Sequence, residues 1–514
     1  METLSKTSKQ KTTAMLCAVI CGPSLNEARE QVRKSSSRVD MVEFRIDQFE
    51  FDQVEAIAHL KEASSVPVIF TLRKRSHGGE YRGDEEERLD DIRKLLEIKP
   101  EYLDLEYDVD YAFYEEVNLI SSETSLISSF HDFEQTPKDL QSIFDYMKHL
   151  PATIYKFSTM ANSSLDALRM LRLVKENVKK GYAISGVCMG EYGSSTRIMG
   201  PVVGSAITFS AINRELATAP GQITVNELIN QYHFKKLNRE TSLLGLIGDP
   251  VNKSPSHHTH NHAIRSLGLN AVYVKFNVLQ HELKEFLDLA KKLNFMGFSV
   301  TMPLKGSVIA ELSEASDDAV NIGAINSIQF NQKKMFGCNT DGKGALDALE
   351  EYESVQGKTV IVLGAGGAAK AISWEAIKRG AKVVILNRTQ EKAEELAQHL
   401  GCECGSLNDF SHFASLGYDF LVNSTSVGLY SEKSRLAIDL SSLLPEKVVL
   451  DVIPSFEDTA FLHEARNKKC RIVFGNEMLM NQAIEQFIYW FGNEVDREDV
   501  KKSFNEAFHS FESL

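Results

Sequence analysis

The chain is long and acidic, with 514 residues and a net charge of −14, and 43% of its residues are hydrophobic and 25% charged. The length exceeds that of one ordinary domain, and the composition is typical of a globular protein. No long basic run occurs, which argues against a nucleic-acid partner. No apolar run approaches the roughly 20 residues that cross a bilayer, so no membrane association is expected.

The N-terminal segment METLSKTSKQKTT has no apolar core and no cleavage-site pattern, so it is not expected to be a secretory signal. It is short and free of arginine, which favours a solvated tail over a transit peptide, and a cytoplasmic location is expected. Seven scattered cysteines, an odd number, argue against a disulfide framework. No second pair or histidine cluster accompanies Cys402 and Cys404, so no metal site is predicted.

The first 215 or so residues alternate apolar, β-branched runs with segments of helical periodicity. Eight strand–helix units in this length fit a (β/α)₈ barrel, although counting alone leaves a doubly wound open sheet possible. The predicted strands are 15–21, 39–46, 66–73, 101–108, 124–131, 152–159, 182–189 and 205–211.

Polar side chains gather where these strands end, and in a barrel catalysis takes place at the carboxyl ends of the strands. Charges on apolar strands are costly to bury unless they are paired, so their shared location indicates a site. The residues concerned are Glu43, Arg45, Arg73, His131, Lys156 and, after strand seven, Arg197.

Lys156 carries the most information among these residues. A lysine in an apolar strand can lose its charge through desolvation, and the neutral amine can form a Schiff base with a ketone. A single such lysine is more often snorkelling or ion-paired. His131 can serve as a general base, although a lone histidine is more often structural. The three arginines can bind a carboxylate or form structural ion pairs.

The order of the motifs VEFRID, TLR, SSFHDF, YKFS, STR and ATAPGQI resembles type I 3-dehydroquinate dehydratase over residues 14–232. The resemblance implies that Lys156 forms an imine with the substrate ketone. His131 would take the C2 proton and help the C1 hydroxyl to leave, with support from Glu43. The residues expected to hold the carboxylate and hydroxyls of the substrate are Arg45, Arg73, Arg197, Thr218 and Gln222.

Two positions in this half depart from the family pattern. His77 stands before Gly78 and Gly79 where relatives often carry an acid, and it is expected to affect how the site closes. Thr218 stands where a serine is common, and it keeps the hydroxyl.

A polar linker at 230–240 separates this half from a second α/β pattern that begins at 242. Residues 358–389 predict a strand, a glycine turn, a helix and a second strand, the context of a dinucleotide site. Ala369 replaces the last glycine of the usual G-x-G-x-x-G pattern. The residues of the turn predicted to approach the cofactor are Gly364, Ala365, Gly366, Gly367 and Ala368.

The strand that follows ends without the acid that would bind the ribose 2′-hydroxyl of NAD. Asn387, Arg388 and Thr389 stand there instead, with Lys392 one turn later. Cations and hydroxyls suit a 2′-phosphate, so NADP is predicted as the cofactor. The alternative interpretation is that these residues simply form the solvent-exposed first turn of a helix and bind no phosphate.

Further motifs at 248–261, 297–306, 323–328, 337–344 and 475–484 resemble shikimate dehydrogenase. The resemblance implies a two-lobed α/β dehydrogenase, with a substrate-binding lobe over 241–345 completed by 476–514 and a Rossmann NADP-binding lobe over 346–475. Lys305 and Asp341 would form the catalytic pair, and Thr425 and Gly475 would contact the cofactor. The residues implied to bind substrate are Ser254, Ser256, Thr301, Asn326 and Gln482.

Three residues of this half depart from the family pattern. His257 stands where a proline usually follows the second serine, and Pro454 and Phe456 replace residues that tend to be tyrosine and proline. The tyrosine would lie near the nicotinamide, so turnover or ring position is expected to differ.

The implied product of the first half, 3-dehydroshikimate, is the implied substrate of the second. The two resemblances together predict a fused enzyme that converts 3-dehydroquinate to shikimate with NADPH, with small molecules as its partners. The second half acting on quinate or preferring NAD is one alternative, and a non-catalytic metabolite sensor is another. Intact Lys156, His131, Lys305 and Asp341 argue against the sensor, and the sequence predicts no oligomeric state.

Overall fold

The computed structural model describes residues 14–51, 53–332, 334–428, 436–455 and 457–512, with the side chains of 511 and 512 excepted. Phe456 therefore lies outside the described residues. The chain divides into two compact units, the first comprising residues up to 244 with 270–295 and the second 245–269 with residues from 296 onward. Each unit is described below by itself.

The first unit contains the eight predicted strands, and helices follow them. The strands are β1 (Met15–Ile20), β2 (Met41–Arg45), β3 (Val68–Thr71), β4 (Tyr102–Glu106), β5 (Ser125–Asp132), β6 (Ile154–Met160), β7 (Ile184–Met189) and β8 (Ile207–Ser210). The helices are α1 (Leu25–Ser35), α2 (Val54–Glu62), α3 (Glu85–Leu96), α4 (Tyr111–Ile120), α5 (Leu140–Met147), α6 (Ser164–Val178), α7 (Ser194–Val203) and α8 (Val225–Asn230).

These strands form one parallel sheet in the order β7-β6-β5-β4-β3-β2-β1-β8. The two end strands meet where Ala206 N–H donates to Ile184 O at 2.9 Å, so the sheet closes into a barrel. The predicted barrel is confirmed, and the open doubly wound sheet is wrong.

The barrel interior is layered because alternate residues of each strand point inward. An apolar layer near the amino ends of the strands includes Met41, Ile69, Ile127 and Ile154. Two residues further along the same strands come Glu43, Thr71, Ser129 and Lys156. The apolar layer closes the base of the barrel, and the polar layers above it face the carboxyl ends of the strands.

The second half of the chain contributes two further sheets. Its first elements are β9 (Ser242–Gly248), α9 (Ser256–Ser266), β10 (Ala271–Asn277), α10 (Leu283–Leu293), β11 (Phe295–Val300), α11 (Leu304–Ser307), β12 (Glu314–Ala315), α12 (Asp317–Ile322), β13 (Ser327–Asn331), β14 (Lys334–Cys338) and α13 (Asp341–Glu350). The later elements are β15 (Thr359–Leu363), α14 (Gly367–Lys378), β16 (Lys382–Asn387), α15 (Gln390–Leu400), β17 (Glu403–Ser406), α16 (Phe410–Leu416), β18 (Phe420–Asn423), β19 (Val448–Asp451), α17 (Ala460–Asn467), β20 (Arg471–Val473), α18 (Gly475–Phe491) and α19 (Arg497–Glu512).

The sheet nearer the C-terminus is fully parallel, with the order β17-β16-β15-β18-β19-β20. This is the 3-2-1-4-5-6 order of a Rossmann fold, whose ligand crevice lies between the first and fourth strands, here β15 and β18. The other sheet is mixed, since β13 runs antiparallel to both β11 and β14. The predicted α/β class with a Rossmann lobe is confirmed.

Candidate active sites

A cavity of about 530 Å³ opens at the carboxyl ends of the barrel strands. The structure brings all of the site residues predicted in the first half together at this cavity. Its lining includes Glu43, Arg45, Arg73, His131, Lys156, Arg197, Thr218 and Gln222.

Lys156 is buried on β6, as its sequence environment predicts, with 6% of its surface exposed. Its Nζ lies 2.9 Å from Asp104 Oδ2 and 3.2 Å from Glu43 Oε1. The same nitrogen lies 4.0 Å from the ring centroid of Phe209, a favourable cation–π distance. Because removing a charge from water costs several kcal/mol, the two carboxylates are what allow a cationic amine at this depth.

Asp104, on β4, connects Lys156 to Arg73, and the sequence reasoning missed it. Its Oδ1 receives hydrogen bonds from Arg73 Nη2 at 2.7 Å and from Ser129 Oγ at 2.6 Å. Burial acts to raise the pKa of this carboxyl, but Arg73 and Lys156 outweigh burial and hold the pKa well below its usual range. Asp104 is therefore a permanent carboxylate that fixes the positions of two cations.

His131 lies at the end of β5 and lines the same cavity. Burial, followed by the positive charges of Arg73 and Lys156, holds the pKa of its imidazole well below the usual range. A neutral imidazole in contact with a cavity can accept a proton from a ligand. Its Nδ1 is buried and has no hydrogen-bond partner among the described residues.

The three arginines differ in how their charge is balanced. Arg45 forms a two-point ion pair with Asp47, at 3.0 and 2.8 Å, and Arg73 contacts Asp104 and Glu106 at 2.7 and 3.0 Å.

Arg197 is the exception. Its Nη1 donates to the carbonyl oxygen of Phe209 at 2.9 Å, but its buried Nε has no partner among the described residues. Burial lowers the pKa of Arg197 to about 10. A buried guanidinium that lacks an anion is a ready site for the carboxylate of a ligand.

The loop after β8 completes the rim of the barrel cavity. Thr218 N–H donates to Gln222 Oε1 at 2.9 Å, which holds the two predicted residues together. His77 also lines the cavity, and its Nε2 lies 3.2 Å from Asp108 Oδ2.

A second cavity, of about 710 Å³, lies within the second unit. All of the residues predicted there for substrate binding and catalysis line it, as do Pro454 and Gly475. The predicted residues are Ser254, Ser256, Thr301, Lys305, Asn326, Asp341 and Gln482.

The predicted catalytic pair in this cavity is in direct contact. Lys305 Nζ lies 2.6 Å from Asp341 Oδ2, and Asp341 begins α13. Asn326 Nδ2 donates to Asp341 Oδ1 at 2.8 Å and to Gln482 Oε1 at 3.2 Å. Both carboxylate oxygens of Asp341 thus accept hydrogen bonds, which fixes the orientation of the carboxylate and the position of the Lys305 ammonium.

Supporting residues that the sequence reasoning missed hold Asn326 in place. Gln486 Nε2 donates to Asn326 O at 2.9 Å, and Thr340 N–H donates to Asn326 Oδ1 at 3.0 Å. The two predicted serines also meet, because Ser254 Oγ donates to Ser256 Oγ at 2.9 Å.

The predicted dinucleotide turn joins β15 to α14. Gly364 has a φ of 115°, and a Cβ there would lie 2.8 Å from Ser424 Oγ, so only glycine is accommodated. At Gly366 and Gly367 an added Cβ would meet nothing within 4 Å, so this turn has open space at the start of the helix. A helix N-terminus with open space in front of it fits the pyrophosphate of a dinucleotide.

The cations predicted to select NADP lie at the end of β16 and the start of α15. Arg388, Thr389 and Lys392 are exposed, and among the described residues no carboxylate forms an ion pair with either cation. Asn387 Nδ2 donates to Thr389 O at 2.8 Å, which shapes the turn.

Thr425 follows β18, on the other side of the crevice from β16. Its hydroxyl donates to Asn423 Oδ1 at 2.7 Å, and Asn423 Nδ2 in turn donates to Asp451 Oδ1 at 3.0 Å. Burial raises the pKa of Asp451 to about 6.

Two kinds of feature are absent from the described residues. No helix among them has the length and hydropathy that crossing a bilayer requires. No group of three histidine, cysteine or acidic side chains among them is arranged to hold a metal ion.

Comparison with family models gives three consecutive matches along the chain. The model described as type I 3-dehydroquinase matches residues 16–239. The shikimate dehydrogenase substrate binding domain matches residues 246–328, and the shikimate / quinate 5-dehydrogenase model matches residues 347–436.

Two relatives match nearly the whole chain, and a third matches about half of it. "Bifunctional 3-dehydroquinate dehydratase/shikimate dehydrogenase, chloroplastic" of Arabidopsis thaliana is 32% identical over 509 residues, covering 95% of this chain and 84% of that protein. "Shikimate biosynthesis protein AroDE" of Chlamydia pneumoniae is 30% identical over 479 residues, covering 93% and 95%. "Shikimate dehydrogenase (NADP(+))" of Pyrococcus furiosus is 40% identical over 266 residues, covering 52% of this chain and 96% of that protein.

Proposed function

The chain belongs to the family of bifunctional 3-dehydroquinate dehydratase/shikimate dehydrogenases, and on this basis we propose how its side chains divide the work. It is a shikimate-pathway enzyme with a lyase half and an oxidoreductase half. The proposed domain bounds are 14–232 for the dehydratase, 241–345 completed by 476–514 for the substrate-binding lobe, and 346–475 for the cofactor-binding lobe. The proposed substrates are 3-dehydroquinate for the first half and 3-dehydroshikimate for the second.

In the barrel, the amine of Lys156 attacks the substrate ketone. The ammonium first gives up a proton, for which Glu43 is the acceptor in contact with it. Addition to the carbonyl and loss of one water give an imine, which draws electrons from the neighbouring C2–H bond. Hydrolysis of the imine later returns Lys156 and releases the product.

His131 performs the elimination. As a neutral imidazole it takes the C2 proton, and it then gives that proton to the C1 hydroxyl, which leaves as water. The Nε–H of Arg197, which has no partner among the described residues, receives the substrate carboxylate. The remaining oxygens of the substrate are held by Arg45, Arg73, Thr218 and Gln222. The observation that carries this assignment is the shared cavity, where a buried, paired lysine lies with a neutral histidine and an arginine without an anion.

In the second half, Lys305 is proposed as the proton donor for ketone reduction. The alkoxide that forms as the ketone is reduced needs one proton, and an ammonium 2.6 Å from Asp341 can supply it and stabilise the developing charge. The remaining substrate oxygens are bound by residues that line the same cavity, namely Ser254, Ser256, Thr301, Asn326 and Gln482.

NADPH is proposed as the cofactor, and when bound it supplies the hydride. The residues proposed to hold it are Gly364, Ala365, Gly366, Gly367 and Ala368 at the turn, Asn387, Arg388, Thr389 and Lys392 at the 2′-phosphate, and Thr425 and Gly475 along the crevice. The unpaired cations Arg388 and Lys392 support NADP over NAD. The relative from Pyrococcus furiosus carries NADP(+) in its name.

Trapping with borohydride tests the dehydratase assignment. With 3-dehydroquinate present, borohydride should reduce the imine to a stable adduct that peptide mass spectrometry places on Lys156. Lys156→Ala should lose both the adduct and the rise in enone absorbance, yet reduce added 3-dehydroshikimate at the parental rate. Lys138→Ala, a lysine outside the cavity lining, is the matched control. An adduct on another residue, or loss of both activities in Lys156→Ala, would contradict the assignment.

The choice between shikimate and quinate is tested by steady-state rates on both compounds with NADP and NAD. We expect the higher kcat/KM with shikimate and NADP. A clear preference for quinate would show that the second half is a quinate dehydrogenase.

A further inference from the structure

Buried charges of alternating sign form a chain from the site of Lys156 to the helix layer around the barrel. In order, the members are Glu43, Lys156, Asp104, Arg73, Glu106 and Arg88. Their successive contacts measure 3.2, 2.9, 2.7, 3.0 and 3.0 Å, and no member has more than 6% of its surface exposed. Glu106 and Arg88 are not among the described residues that line the cavity, and the reaction described above gives them no role.

Glu106, on β4, depends on two arginines for its charge balance. Arg73 Nη1 lies 3.0 Å from its Oε1, and Arg88 Nη1 lies 3.0 Å from its Oε2. Oε2 accepts no hydrogen bond from the described residues, so the charge of Arg88 is what stabilises this oxygen. Removing one partner of a buried ion pair leaves an uncompensated charge. Without Arg88, the carboxylate of Glu106 would therefore be balanced by Arg73 alone.

Arg88 itself lies where a helix disfavours a cation. It comes at the end of the first turn of α3, which Asp84 caps and which is otherwise acidic, as the positive end of a helix dipole favours. Its Nη1 donates to Leu72 O at 2.9 Å, and its Nε and Nη2 donate to Glu85 at 2.9 and 2.7 Å. The guanidinium is nevertheless buried, with 1% of its surface exposed. A cation held against the helix dipole at this depth indicates that the carboxylate inside the barrel requires it.

The charges of the chain cancel only while Arg88 is present. The three negative members are Glu43, Asp104 and Glu106, and the three positive members are Lys156, Arg73 and Arg88. Removing Arg88 alone leaves one net negative charge, which favours the charged form of a nearby amine. Lys156 must lose its proton before it can attack a ketone, so excess negative charge opposes the first step of the reaction.

We propose that Glu106 and Arg88 are positioning residues that keep the charge around Lys156 balanced. They act through Arg73 and Asp104, the two members between them and the lysine, and they touch no substrate. This inference rests on the proposed role of Lys156 as the amine that forms the imine. The titratable groups that act on Lys156 are Glu43, Asp104, His131 and Cys17.

The test compares Arg88→Met, Glu106→Gln and the double variant with the parent enzyme in the full-length chain. Two quantities are followed against pH: kcat of dehydration, and the rate at which cyanoborohydride traps the 3-dehydroquinate adduct on Lys156. In Arg88→Met we expect kcat to fall roughly three- to thirtyfold and the rising limb of the trapping rate to move to higher pH. In Glu106→Gln one positive charge is in excess, so the limb should move to lower pH. The double variant is neutral again and should recover the parental limb and most of the parental kcat.

A pair on the same helix provides the matched control. Arg93 pairs with Glu116 at 2.6 Å, and both side chains are more than a third exposed. Arg93→Met, alone and together with Glu116→Gln, should therefore behave as the parent. Circular dichroism checks that the barrel of each variant is folded, and reduction of 3-dehydroshikimate should keep its parental rate.

The outcomes separate charge balance from a merely structural role. A loss in Arg88→Met that Glu106→Gln does not restore would overturn the inference, because Arg88 would then act through Leu72 or by filling space. Limbs that fail to move in opposite directions in the two single variants would overturn it as well. If Arg88→Met does not fold, the shift in Glu106→Gln and its reversal in the double variant decide. Absence of any adduct on Lys156 in the parent would instead overturn the proposed function itself.

Discussion

Replacing Arg197 with methionine should stabilise the ligand-free barrel and at the same time remove most of its dehydratase activity. The guanidinium is buried, with 2% of its surface exposed, and among the described residues no carboxylate balances it. Methionine has a similar length and no charge, so it can fill the same space. The two effects have opposite signs because the site is built for a ligand that is absent from the free protein.

The expected size follows from the contacts of Arg197. Its pKa is lowered from 12.5 to about 10, which corresponds to roughly 3 kcal/mol against the charged form at about 1.4 kcal/mol per pKa unit. Because the pKa in the fold is lowered, this penalty is fully present at every pH below about 10 and disappears only at higher pH. Losing the hydrogen bond to Phe209 O costs on the order of 1.5 kcal/mol. The net gain in the free energy of unfolding is therefore about 1 to 2 kcal/mol.

Activity should fall much further than stability rises. Removing one partner of a buried, hydrogen-bonded charge pair costs about 2 to 5 kcal/mol, which corresponds to a loss in kcat/KM of roughly 30- to several-thousandfold. The loss should appear in dehydration alone, followed as enone absorbance from 3-dehydroquinate. Reduction of added 3-dehydroshikimate, followed as NADPH oxidation, should keep its parental rate.

The stability of the barrel can be read separately within the full chain. Both tryptophans, Trp374 and Trp490, lie in the second unit, so their fluorescence follows that unit only. Far-ultraviolet circular dichroism follows both units, and the transition absent from fluorescence belongs to the barrel. Arg33→Met on the exposed surface of α1, where Arg33 pairs with Glu30 at 2.8 Å, is the matched control and should leave both transitions in place. A barrel destabilised by more than about 1 kcal/mol in Arg197→Met would refute the reasoning, because the guanidinium would then be a net stabilising group.

Three further predictions concern individual side chains. Asp341→Asn removes the carboxylate 2.6 Å from Lys305 and should lower kcat of shikimate oxidation about 10²- to 10⁴-fold while dehydration continues; equal losses in both assays would point to misfolding instead. Arg388→Glu should raise KM for NADPH at least tenfold and that for NADH much less, and an unchanged NADPH/NADH ratio would remove Arg388 from the cofactor site. Because the pKa of His131 is lowered, its neutral form should persist to low pH. The acid limb of the kcat/KM profile for dehydration should therefore lie well below pH 6.5, the ordinary histidine value. An acid limb at or above that pH would contradict a neutral base.

The fold was predictable because the sequence repeats one physical pattern. Each barrel strand is a short β-branched or apolar run, and each observed strand overlaps a predicted one, as β6 at Ile154–Met160 overlaps 152–159. The glycine turn was predictable because a strand followed at once by glycines and a helix has few other uses. Local sequence was sufficient in both cases.

Partners distant in sequence were not predictable, because strand register decides them. Asp104 is 52 residues from Lys156, and the two meet only because β4, β5 and β6 are adjacent and Ser129 is level with Lys156. A signal did exist, since Asp104 and Glu106 alternate on β4 in the same way that Glu43 and Arg45 alternate on β2. Polar residues at alternate positions of an otherwise apolar barrel strand mark its inward face.

The second site illustrates a different limit. Lys305 follows a proline turn and by itself reads as an exposed surface lysine, so its candidacy came from resemblance alone. The structure places it beside Asp341, 36 residues away, through contacts that no local pattern contains. Gln486, which steadies Asn326 from α18, lies 160 residues from it.

The described residues that line the barrel cavity lie between Val19 and Gln222 and all belong to the first unit, and those that line the second cavity lie between Leu246 and Gln486 and all belong to the second unit. In genetic terms, one reading frame should then behave as two complementation groups. An allele inactive at Lys156 and an allele inactive at Lys305, expressed together, should restore prototrophy for aromatic amino acids, since the intermediate can diffuse from one polypeptide to the other. Two alleles damaged in the same cavity should fail to complement.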